Sequence, residues 1–138
     1  MRQALTELAF STKGVGLIEI TREVAEWTEQ SGVRTGLLTL LCKHTSASLL
    51  ITENASSAVW SDLTAWLDRI APQSGIYDHD SEGPDDMPAH LKNALTGVNL
   101  SIPIANGRMR LGTWQGIFLA EHRRAPHERT IALHLIGE

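Results

Sequence analysis

The last two apolar stretches, "TWQGIFLAE" at 113–121 and "RTIALHLIG" at 129–137, limit the possible folds most. An antiparallel strand with water on one side alternates apolar and polar residues. These strands do not. Phe118 and Ala120 point to one side and Ile117 and Leu119 to the other, and residues 131 to 136 repeat the pattern. Both faces therefore need cover. Three helices supply cover for one face of a sheet, and the second face is expected to pack against other subunits.

The helices read from periodicity and stop signals. A first helix is predicted from Thr21, as its cap, through Gln30, with Val24 and Trp27 on one face, Ile20 just before it and Gly32 ending it. In "NASSAVWSDLTAWLDRIAP", Val59, Leu63, Trp66, Leu67 and Ile70 recur at helical spacing until Pro72. "MPAHLKNALTG" gives a third helix, with Asp85 or Asp86 at its start, Pro88 in its first turn and Gly97 as its stop.

The strands include an opening hairpin, expected from Leu5, Leu8 and Phe10 followed by "GVGLIEI". "TGLLTLLCK" and "ASLLIT" flank a His-Thr-Ser corner, and "NLSIPIANGRMRLG" is a hairpin turned by Asn106-Gly107. The order of elements predicts one α+β domain over 1–138, a mostly antiparallel sheet with about three helices on one face.

Other functions are limited by composition. Net charge is −4, which argues against a broad nucleic-acid footprint, although Arg123, Arg124 and Arg129 form a local basic cluster in the sequence. Cys42 is the single cysteine, so no intrachain disulfide forms. No apolar run approaches a membrane span, and the first residues lack the apolar stretch of a signal peptide, so a cytoplasmic protein is expected.

Polar groups interrupt this apolar pattern at a few places. His44 keeps the period-two phase of Leu38, Leu40 and Cys42, His90 lies on the apolar stripe of its helix, and His122 continues the face of Phe118 and Ala120. Glu121 and Arg123 point the opposite way, and His79 sits in the acidic stretch "DSEGPDD". Two readings stand for the histidines. A lone histidine on an apolar face is commonly a satisfied core residue, as expected for His134, and His127 reads as solvated loop. Neutral imidazoles with carboxylates also suit zinc or a related ion, though the spacing matches no tight metal signature. Thr45, Ser46 and Arg123 similarly suit either ordinary turn chemistry or a phosphate.

The blocks "HTSASLLITEN", "YDHDSEGPDDMPAHLKNAL" and "GRMRLGTWQGIFLAEHR", in this order, resemble the YjbQ-like family, also called the secondary thiamine-phosphate synthase family, and the resemblance runs along the whole chain. It implies a trimer and a polar site built from His44, Thr45, Ser46, Asn54, His79, Asp86, His90 and Glu121, with His122 and Arg123 nearby. It also implies a weak activity joining a pyrimidine methyl pyrophosphate to a thiazole phosphate with release of pyrophosphate. On that reading His44, His79, His90 and His122 hold a divalent metal (zinc, magnesium or manganese). Asp86 and Glu121 are catalytic, and Thr45, Ser46, Asn54 and Arg123 hold the phosphorylated substrate. The alternatives are a trimeric metal- or small-molecule-binding protein and a metal-dependent hydrolase of another phosphorylated substrate.

Overall fold

The computed structural model describes residues 1–138. Eight strands and three helices follow in the order β1 (Arg2–Ser11), β2 (Gly16–Glu19), α1 (Thr21–Gln30), β3 (Thr35–Cys42), β4 (Ala47–Glu53), α2 (Ser57–Ile70), α3 (Asp86–Thr96), β5 (Asn99–Ala105), β6 (Arg108–Met109), β7 (Gln115–Glu121) and β8 (Glu128–Gly137). They build two antiparallel sheets, β1-β8-β3-β5-β6 and β2-β7-β4. The α+β class stands, but the single sheet splits in two. The expected β1–β2 hairpin is absent: β1 pairs with β8 and β2 with β7, because Gly14 and Gly16 carry the chain from one sheet to the other.

The two sheets face each other across the core. Leu38, Leu40, Ile131, Leu133 and Leu135 of the larger sheet meet Leu49, Ile117 and Leu119 of the smaller one. Each such side chain contributes roughly 1.5–3 kcal/mol by leaving water.

The opposite face of β7 is covered within the chain as well. Trp60 of α2 tilts over Phe118 with ring centroids 5.2 Å apart, and its indole N–H donates to the Glu53 carbonyl at 2.7 Å. The two-faced pattern of β7 thus needs no second subunit, which corrects the argument drawn from that strand. The pattern of β8 does leave a face open: Ile131, Leu133 and Leu135 are buried, while Ala132, His134 and Ile136 lie half-buried on the other side.

Helix positions agree with the sequence reading, and two details differ. Thr21 does not cap α1; its hydroxyl donates to Glu19 and accepts from the Ile117 backbone N–H, tying the helix start to β7. In α2 the inward face is Trp60, Thr64 and Leu67, so Val59, Trp66 and Ile70 are exposed instead. Asn106 and Gly107 both take positive φ (54° and 76°), which is the tight turn that the Asn-Gly pair predicts. No helix is long and apolar enough to cross a membrane.

Candidate functional site

The segment between β3 and β4 turns polar because α3 fastens it down. Asn93 donates to the carbonyls of His44 (3.0 Å) and Ala47 (2.6 Å), and His90 Nδ1 donates to the Thr45 carbonyl at 2.7 Å. Three backbone acceptors that leave the sheet ladder are satisfied in this way.

One turn before His90, at i−4, stands Asp86. Its Oδ2 lies 3.1 Å from His90 Nε2 and 2.7 Å from Nε2 of His79, which reaches in from the preceding loop. The three ligand atoms are all within 4.8 Å of one another. Because a carbonyl only accepts, His90 Nδ1 must carry a proton, so its Nε2 faces Asp86 with either a second proton or a free lone pair. That orientation of an imidazole by a backbone carbonyl is what metal-ligating histidines commonly have. Two imidazole nitrogens and one carboxylate oxygen are a donor set that fits zinc or a similar divalent ion, and three protein ligands leave a position open.

The other oxygen of Asp86 is held by Arg123. Nη1 of Arg123 donates to Asp86 Oδ1 at 2.7 Å, its Nε to Asp85 at 3.1 Å, and its Nη2 to the Glu82 carbonyl at 3.2 Å. Burial pushes the Asp86 carboxyl up, but the His79 hydrogen bond and the charges of His90 and Arg123 outweigh it and hold it below the ordinary range. The same hydrogen bond with Asp86 raises His79, with Glu82 at 3.1 Å adding to it. Arg123 is therefore committed to positioning carboxylates, and it is not a free phosphate cradle.

A second cluster, between the sheets, takes Glu121, Ser46 and His44. Glu121 is fully buried and accepts from Arg129 at both oxygens, from Thr12 Oγ1 at 2.6 Å and from the Arg123 backbone N–H at 3.1 Å. Burial alone would raise its carboxyl, and these donors reverse the shift. Ser46 Oγ accepts from Arg129 at 2.9 Å, which ties its side chain to this cluster. His44 points the way its strand phase predicts, and its Nε2 accepts the Thr130 backbone N–H at 2.8 Å. Burial first, then the charge of Arg129, lowers His44.

His122 and Asn54 lie elsewhere. His122 is buried under α2 and α3, its Nε2 2.7 Å from Ser48 Oγ, and burial lowers it to about 4. Asn54 sits at the opposite end of β4, 3.4 Å from Glu19. Of the ten residues expected, the structure gathers His79, Asp86, His90 and Arg123, with Thr45 joined through its carbonyl. The side chains of Ser46 and Glu121 turn to Arg129 and that of His44 to the Thr130 backbone, while His122 and Asn54 take partners elsewhere.

Glu82 and Asp85 also belong to the cluster, although their sequence context points only to an acidic loop and a helix start. The Asp86–His90 spacing of one helical turn was a signal for the pairing. The partnership of Glu121 with Arg129 had none, since it crosses between sheets.

Comparison with known proteins places the chain. A sequence profile described as UPF0047 protein YjbQ-like matches residues 6–138. A UPF0047 protein of Synechocystis is 46% identical over 99% of this chain and 94% of its own length, and the YjbQ protein of Escherichia coli O157:H7 is 42% identical over 95% and 96%. Among solved structures, a YjbQ/UPF0047 family protein of Clostridium acetobutylicum superposes with a TM-score of 0.88 at 35% identity, covering 95% of this chain and 99% of that one. Matching profile, relatives and fold over nearly its whole length, the chain belongs to the YjbQ-like UPF0047 family.

Proposed function

We propose that the protein is a metal-dependent enzyme acting on a phosphorylated or pyrophosphorylated small molecule, with slow thiamine-phosphate formation as the reaction to assay. The observation that supports this is the convergence of His79, Asp86 and His90 in a half-exposed cluster whose imidazole at 90 is oriented by a carbonyl. A divalent ion held there would neutralise charge developing on a departing pyrophosphate. Arg123 keeps Asp86 ionised and aimed, and the exposed Thr45 is the hydroxyl open to a phosphate. Asp86, engaged at both oxygens, acts as a ligand. Glu82, exposed beside His79, is the carboxylate open to take a proton, in place of the buried Glu121.

Turnover tests the reading. Purified protein is incubated with the pyrimidine pyrophosphate and thiazole phosphate plus magnesium, manganese or zinc, and product above background is expected to vanish in His90→Ala. The link from His90 to Thr45 suits equally a structural metal that fastens α3 to the strand end. Metal binding without any product would favour that binding-protein reading.

We also propose a homotrimer. On the outer face of the larger sheet, Leu5, Leu37 and Leu41 are 76%, 43% and 44% exposed, with Ile136 beside Leu37 in register. No helix covers that face. Sedimentation equilibrium is expected to give three times the 15.1 kDa chain mass; a monomer would refute the assembly.

A further inference from the structure

At the far end of the larger sheet from the His79 cluster lies a cationic groove. Arg123 and Arg129, six positions apart in the sequence, are neutralised by acidic partners. Arg34, Arg108 and Arg110 are exposed and join no ion pair. They line one open groove of about 770 Å³ that has no acidic residue in its wall, in a chain whose net charge is −4.

Local structure puts them there. In the run Arg108-Met109-Arg110, Met109 packs against the core, which sends both arginines to the opposite side. The Arg110 backbone N–H is fixed to the Pro103 carbonyl at 2.9 Å, and the Gly107 N–H to the Arg34 carbonyl at 3.0 Å. The Arg34 guanidinium lies over Gly107, its Nη1 3.5 Å from where a side chain would begin. The tight Asn106-Gly107 turn thus brings together arginines from two separate parts of the chain.

We propose that this groove binds a phosphate-bearing small molecule, with pyrophosphate as the simplest representative. Guanidinium forks match phosphate oxygens two at a time, and arginines that join no ion pair around a concave surface draw an anion in, with Glu29 confined to the adjoining hollow beside Arg34 and Arg108. Nucleic acid fits less well, because three arginines around one turn make a short footprint and the rest of the chain carries a net negative charge. The strand β3 runs from Thr35 beside the groove toward the His79 cluster, a separation of roughly 25 Å along eight residues. The site is therefore distinct from that cluster within one chain, and it does not depend on the metal reading.

The test is calorimetric titration of pyrophosphate into the full chain in EDTA, which removes any metal-held phosphate, at physiological ionic strength. One saturable site per chain is expected. The double variant Arg108→Ala/Arg110→Ala is expected to bind roughly ten- to a hundredfold more weakly, the cost of losing charge-assisted contacts. Arg69→Ala, which removes another exposed, unpaired arginine, is expected to bind like the parent. Absence of saturable binding, unchanged affinity in the double variant, or an equal loss in Arg69→Ala would overturn the proposal. So would a single-stranded oligonucleotide that binds more tightly than pyrophosphate through the same arginines, since the ligand class would then be wrong.

Discussion

Glu121 and Asp86 are both buried carboxylates next to an arginine and a histidine, yet they are prepared for opposite tasks. Glu121 has its lone pairs filled by Arg129, Thr12 and a backbone N–H, and it looks into the space between the sheets. Asp86 gives one oxygen to Arg123 and turns the other toward two half-exposed imidazoles. Residue type does not separate them. Saturation and access do: the acceptors of Glu121 are all taken by donors of the fold, whereas Asp86 shares one oxygen between two imidazoles near solvent.

On folding stability, the largest effect should come from Glu121. Glu121→Gln leaves the buried Arg129 without its counter-charge, and breaking such a pair costs roughly 3–5 kcal/mol. Urea unfolding should report that loss; a change under 1 kcal/mol would mean the pair is as dispensable as a surface bridge.

Next comes the pH dependence of the buried His122. Its folded value, about 4, is below the ordinary 6.5, so between these pH values the unfolded chain binds more protons. Its contribution is fully present above pH 6.5 and is lost as pH falls toward 4, about 3 kcal/mol in all. Unfolding midpoints across that window should fall more steeply in the parent than in His122→Asn. Parallel curves would remove His122 as the cause.

His90→Ala should cost about 1 kcal/mol, the value of its bond to Thr45. Its main effect should be loss of bound zinc in equilibrium dialysis, whereas Glu121→Gln, once folded, should keep it. Equal retention by both variants would dissolve the contrast drawn between the two carboxylates.

The smallest effect belongs to Asn54, which resemblance grouped with the site and the fold puts at the other end of β4. Asn54→Ala should leave zinc uptake unchanged and shift stability by about 0.5 kcal/mol or less. A loss of metal there would require a route from Asn54 to the cluster through a second copy of the chain.

The family, the α+β class, the helix positions and the Asn-Gly turn could all be read from residues near one another in the chain. Period, stop residues and turn chemistry are local, and each carries its own signal. So is the Asp86–His90 pair, one helical turn apart. The split into two sheets was not legible, because period-two alternation says which side a residue faces and not which strand pairs with which. For the same reason β7, apolar on both sides, looked in need of a neighbouring subunit when its second face lies under Trp60.

What the sequence determined by itself was the inventory of polar and charged groups: six histidines, the acidic run before α3 and the scattered arginines. Tertiary structure alone decided their partners. It set Arg129 against Glu121 across the space between sheets, withdrew His44 and His122 into separate networks, and left Arg34, Arg108 and Arg110 unpaired together. Electrostatic roles depend on distance and burial, and contacts between strands far apart in the chain fix both only when the fold closes.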